Sequence, residues 1–267
     1  AAAGDTIEVN AAVLADDTLL SLAGEGDYTV GDLKGDLNST ASGAVSVTLA
    51  ENKDTGGNFS ITSSSSTSVD SVKAGARDVI TLGGGGNFVV TGLQANLVLS
   101  STNTGTTDVT TDATGLSISV DAAAGDLTVH AAALEGNQTL TLGGSIDGHT
   151  TTVDGLVGTL DAAGGTDAAS VDAVLASTLN VSIGGNGTAD ATIVTGSNTT
   201  NILAHAGDKL TVNAASLADD TLITVDRLSE DSSIGGSITV SNLKGDISNS
   251  SGASLKVTLA KNKSGGD

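Results

Sequence analysis

Fourteen positions are written twice: VNAAVLADDTLLSL at 9–22 and VNAASLADDTLITV at 212–225. Neither copy holds a catalytic constellation, so the chain reads as a repetitive scaffold in which one structural unit is built again and again. The match extends in both directions. Asp5–Leu22 aligns with Asp208–Val225 without a gap, and VGDLKGDL (Val30–Leu37) aligns with VSNLKGDI (Val240–Ile247). VTLAENK (Val47–Lys53) then aligns with VTLAKNK (Val257–Lys263).

Two weaker copies lie between. In DVITLGGGGNFVVTGLQANL, Leu82, Gly84, Gly86, Val90, Leu93 and Leu97 recur where the first copy has Leu22, Gly24, Gly26, Val30, Leu33 and Leu37. Phe88 replaces Tyr28. VHAAALEGNQTLTLGG and TVDGLVGTL carry the same skeleton a third time. The TL anchors fall near 18, 78, 139 and 221, so successive copies are roughly 60, 61 and 82 residues apart. A relative, TLNVSIGG at 178–185, divides the last interval, and a step of about twenty residues accounts for all of them. The sequence therefore predicts one continuous repetitive domain over 1–267, with sub-repeats at about 5–65, 66–125, 126–207 and 208–267, the last truncated.

Within a step the pattern has period two. TIEVNA, TLLSLA, VSVTLA, DVITLG, NVSIGG, KLTVNA and KVTLAK alternate apolar with polar or small residues, and Gly, Asn, Asp or Ser clusters bound them. NAAVLADD has room for one helical turn and no more. This predicts an all-β fold, a parallel β-solenoid with coils of about twenty residues; the alternative is a tandem of antiparallel β-sandwich repeats. The composition suits the solenoid: one Tyr, two Phe and no Trp fit a narrow core, and zero Pro fits strands paired on both edges. About thirteen coils at roughly 4.8 Å each make a rod near 60 Å long. The ends carry no polar capping segment, so the chain is expected to be a piece of a longer tandem protein or a subunit that stacks end to end. A lysine on a strand edge opposes such stacking, and Lys256 in SLKVTLAK is the residue to inspect.

Charge narrows the partners. Thirty-one acidic residues against ten basic ones give a formal net charge of −21, which repels nucleic acid and anionic headgroups and attracts divalent cations. Zero Cys excludes disulfides, zinc–thiolate sites and thiol catalysis. No apolar run is long enough to span a bilayer, and no signal-like segment opens the chain.

Chemistry-bearing residues are sparse. His130, His149 and His205 are scattered; His130 occupies a position filled by Asn10 and Asn213 in sister copies, a polar face position. A polysaccharide lyase needs a base beside a cation or arginine, and only Arg77 and Arg227 are present, without a basic cluster. The chain is therefore expected not to be an enzyme. Calcium is the better-supported ligand, because oxygen-rich loops with glycine turns are what it needs. AGEGDYTV and GGGGNFVV approach the G-G-x-G-x-D-x-U-x nonapeptide, though the spacing is one short and Asn87 replaces a carboxylate in the second. With the paired acids of ADDT, the candidate calcium ligands are Asp16, Asp17, Asp27, Asp190, Asp219 and Asp220. Thr-rich stretches such as TTDVTTDATG do not recur at the coil step, as an ice-binding rank would require.

The motifs LTVNAASLADDTL, TVDGLVGTLDAAGG and ITLGGGGNF, with the Gly/Ala/Thr/Asp-rich, Cys-free composition, resemble those of bacterial β-strand-repeat surface proteins. These include S-layer subunits and large type I-secreted adhesins, relatives of the repeats-in-toxin proteins. The resemblance implies an exported, acidic, often calcium-dependent structural protein on the bacterial cell surface. It implies self-association into a lattice or filament, with a cell-surface polysaccharide as a further partner; the alternative is the non-catalytic stalk of an adhesin.

Overall fold

The computed structural model describes the chain apart from residues 17, 52–57, 76–77, 113–116, 120–124, 136, 144–145, 163–165, 174–178, 184–189, 205–206, 228–235 and 262–267. Two compact units divide it, Ala1–Val129 and His130–Asp267. The first contains β1 (Thr6–Asn10), β2 (Leu19–Leu22), β3 (Asp27–Leu33), β4 (Asp36–Ser39), β5 (Val45–Leu49), β6 (Asn58–Ser63), β7 (Thr67–Asp70), β8 (Val79–Gly83), β9 (Phe88–Leu93), β10 (Asn96–Leu99), β11 (Thr107–Thr111) and β12 (Ser117–Ser119). Strand β13 (Leu127–His130) spans the boundary. The second contains β14 (Thr139–Gly143), β15 (Ile146–Asp154), β16 (Thr159–Ala162), β17 (Thr166–Asp172), β18 (Leu179–Ile183), β19 (Asp190–Val194), β20 (Thr200–Ala204), β21 (Lys209–Asn213), β22 (Leu222–Arg227), β23 (Ser237–Leu243), β24 (Asp246–Asn249) and β25 (Ser254–Leu259).

Within each unit, odd strands form one sheet and even strands another. In the first unit the orders are β1-β3-β5-β7-β9-β11 and β2-β4-β6-β8-β10-β12; in the second, β15-β17-β19-β21-β23-β25 and β14-β16-β18-β20-β22-β24. Every pairing among the described residues is parallel. This is the expected solenoid, and it removes the antiparallel sandwich, which would join sequential strands by hairpins.

Alternation builds the core. Like side chains stack from coil to coil: Val9, Val30, Val47, Val69, Val90 and Val109 in one ladder of the first unit. In the second, Leu140, Leu160, Val181, Ile202 and Val225 form another. Most of their outward neighbours are Ser, Thr, Asn or Asp, with Val89 and Leu203 as exposed apolar exceptions, so one residue of slip would expose each ladder to water. The three aromatics, Tyr28, Phe59 and Phe88, are all buried.

The coils are not equal in length. Tyr28 lies beside Val45, 17 residues on, whereas Lys209 lies beside Ser237, 28 residues on. Only the strands must stack, so coils of different length are accommodated; residues 228–235, within the 28-residue step, lie outside the described residues. Two turn types recur. In the long turn, an Asx side chain closes onto the backbone: Ala12 N–H donates to Asn10 Oδ1 (3.0 Å), Val72 N–H to Asp70 Oδ1 (3.2 Å) and Ala215 N–H to Asn213 Oδ1 (3.2 Å). The short turn is preceded by a left-handed residue, Asp32, Gly92, Gly155 or Asn242, at φ 52°, 67°, 65° and 59°. These are the residue types that tolerate that region, and a bulge marks Val30/Leu33 and Val240/Leu243.

Candidate functional site

The candidate calcium ligands are separated by these turns and faces. Asp16 lies exposed in the first long turn, and Asp17 lies outside the described residues. Asp27 opens β3 and is engaged, with Oδ1 accepting from Ala44 N–H of the next coil at 2.8 Å. Asn87 performs the same task in its own copy, accepting from Thr106 N–H at 3.0 Å. That shared role explains why a carboxylate and an amide interchange there: each stitches one coil to the next. Asp190, on β19, lies 3.6 Å from Lys209 Nζ on the adjacent strand. Asp219 and Asp220 lie exposed in the fourth long turn, Asp220 at φ 60°. Among the described residues, no three Asp, Glu or His side chains gather where they could hold a metal ion.

His130 approaches Asp154 on the neighbouring coil, with Nδ1 3.1 Å from Oδ2, both side chains largely in solvent. It replaces the Asx residue that closes the other long turns. His149 falls on β15, and His205 lies outside the described residues.

Several contacts escape sequence reading because only coil stacking joins the residues. Lys73 Nζ donates to Asp32 Oδ1 at 2.8 Å across 41 residues, and that carboxylate holds the ammonium above its usual value. On the even sheet of the second unit, Asn201 Nδ2 donates to Asn180 Oδ1 (2.8 Å) and Thr224 Oγ1 to Asn201 Oδ1 (2.7 Å), a polar ladder on the outer face. A shallow groove of about 640 Å³ crosses the odd sheet of the first unit, lined by hydroxyls of Thr29, Ser46, Ser68 and Thr106 with Asp27 and Asp108.

The terminal strands of the odd sheet are the other notable surface. Among the described residues, β1 is flanked only by β3 and β25 only by β23. Two inward residues of β25 lie in solvent, Leu255 40% and Leu259 72% exposed, while Val257 between them is half-buried. Their counterparts in β5, Val45 and Leu49, are buried beneath β7. Lys256 points outward between Leu255 and Val257, clear of the apolar row.

Comparison with protein families, curated proteins and solved structures found no match for this chain, so its likeness to other proteins rests on the motifs and composition described above.

Proposed function

We propose that the chain is a non-catalytic structural protein of the bacterial cell exterior that self-associates into a lattice or filament. The observation that carries this reading is the parallel ladder itself, in which one register repeats from coil to coil. A parallel coil has one repeating set of donors and acceptors along each edge, so it is complementary to another coil of its own kind. The acidic surface, −21 in net charge, keeps such particles soluble singly and makes lateral association depend on cations. Calcium bridging exposed carboxylates of adjacent particles, such as Asp16, Asp219 and Asp220, is the cation role we assign.

The second reading, an adhesin stalk, uses the same coils as a spacer that carries a binding domain. Negative-stain electron microscopy of the purified chain, with millimolar Ca²⁺ and with chelator, separates the two. Ordered sheets or fibres are expected, dispersing in chelator. Single particles in both conditions would leave the stalk as the better account.

A further inference from the structure

The groove on the odd sheet of the first unit is periodic. Along one side, Thr29, Ser46, Ser68, Val89 and Asp108 stand beside one another on β3, β5, β7, β9 and β11. Asp27, Ser66, Asn87 and Thr106 line the other. Four steps of about 4.8 Å separate β3 from β11, so the groove runs about 19 Å along the direction in which the coils stack. A second concavity, of about 460 Å³, shares Ser66 and Asn87 with it. It continues past Thr40, Ser42, Ser64 and Ser65, on the turns that lead from the even sheet to the odd one.

The lining narrows the occupant. Among the described residues, no basic side chain lines either concavity, so nothing there pairs with a phosphate, sulfate or carboxylate. The net charge of −21 repels anionic polymers as well. Asp27 and Asp108 lie toward the two ends of the groove, and Asp27 already accepts the Ala44 N–H. Between them the polar side chains are hydroxyls and the Asn87 amide, which both donate and accept, around an exposed Val89. An uncharged polyol matches this surface: its hydroxyls exchange hydrogen bonds with Ser, Thr and Asn, and its C–H faces rest on the valine.

Spacing then selects among polymers. A shallow groove encloses little of a ligand, so its affinity comes from repetition. The row of side chains repeats once per coil, about 4.8 Å. The pyranose units of an extended glycan recur at a similar interval. A peptide strand presents one face every second residue, about 6.8 Å, and falls out of step within a few coils. We propose that this groove binds an uncharged, extended glycan lying across β3 to β11 along the stacking direction. The Ser46 and Ser68 hydroxyls, 3.4 Å apart, stand at its centre. The proposal goes beyond the scaffold reading and does not rest on it.

Isothermal titration calorimetry on the 267-residue chain tests this. The probes are cellohexaose, laminarihexaose, mannohexaose and chitohexaose, with the corresponding monosaccharides and hexagalacturonate for comparison. A neutral hexaose is expected to bind with a dissociation constant of about a millimolar, and its monosaccharide about tenfold more weakly or less. Hexagalacturonate should not bind. Combining Ser46→Val with Ser68→Val removes both central hydroxyls from exposed positions and should weaken the hexaose about tenfold, with circular dichroism confirming the fold. Thr239→Val, on the odd sheet of the second unit, should leave binding unchanged. Silence from all the neutral hexaoses overturns the proposal, as does equal binding of hexagalacturonate or of the monosaccharide. A double variant with wild-type affinity, or an equal loss in Thr239→Val, overturns the site. All of these results leave the scaffold reading standing, whereas single particles that bind the hexaose would keep the groove and overturn the scaffold.

Discussion

Glycine does specific steric work in this chain at the corner that leads from the even sheet to the odd one. A Cβ on Gly86 would stand 2.0 Å from the Ser65 carbonyl oxygen, and one on Gly105 would stand 2.1 Å from that of Gly86. The obstacle is backbone of the preceding coil, which cannot yield without shifting the ladder. Gly86→Ala is expected to destabilise the first unit by about 1–3 kcal/mol, read from urea denaturation. Gly85, next in sequence, faces only the Thr104 hydroxyl at 3.5 Å, and Gly85→Ala should be close to neutral in the same measurement. Sequence alone offers GGGG at 83–86 with no means of ranking its members; the stacking of coils ranks them.

At the scale of the element, the unit of stability is the bond between one coil and the next. Asp27 and Asn87 illustrate it, since each accepts a backbone N–H from the following coil. Asp27→Asn keeps that acceptor and should change stability by only a few tenths of a kcal/mol, whereas Asp27→Ala should cost about 0.5–1.5 kcal/mol. Chemical denaturation of both variants checks this, and Asp27→Asn should leave the calcium response of assembly intact. The strands themselves were legible in advance, because alternation in VSVTLA or KLTVNA admits little else. So were the parallel solenoid and the repeat spacing: the strands near the TL anchors, β2, β8, β14 and β22, are separated by three, three and four coils. The coil length of about twenty residues was legible too; its variation, from 17 to 28 residues, was not, because turns absorb extra residues without altering the strand pattern. Nor were the partners of Asp27, Asp190 and Lys73, which are fixed by register between coils and carry no local signal.

For the whole molecule, a solenoid's stability is close to a sum of nearest-neighbour terms, and a coil covered on one side has fewer of them. Within each unit, amide exchange should be slowest in strands flanked on both sides, such as β5, β7 and β9 or β19 and β21. It should be fastest in β1 and β25. Hydrogen-exchange mass spectrometry resolves this gradient, and a uniform profile would mean that the coils open together.

The scarcity of aromatics gives the molecule a built-in optical reporter. Tyr28 is its only tyrosine and there is no tryptophan. The ring is buried on β3 directly beside Ile7 of β1, and its hydroxyl donates to the Ala23 carbonyl. Ultraviolet emission therefore arises almost wholly from one site, on the strand beside β1. Loosening of the first coil and any variant of β1 can both be followed from that one ring without attaching a label.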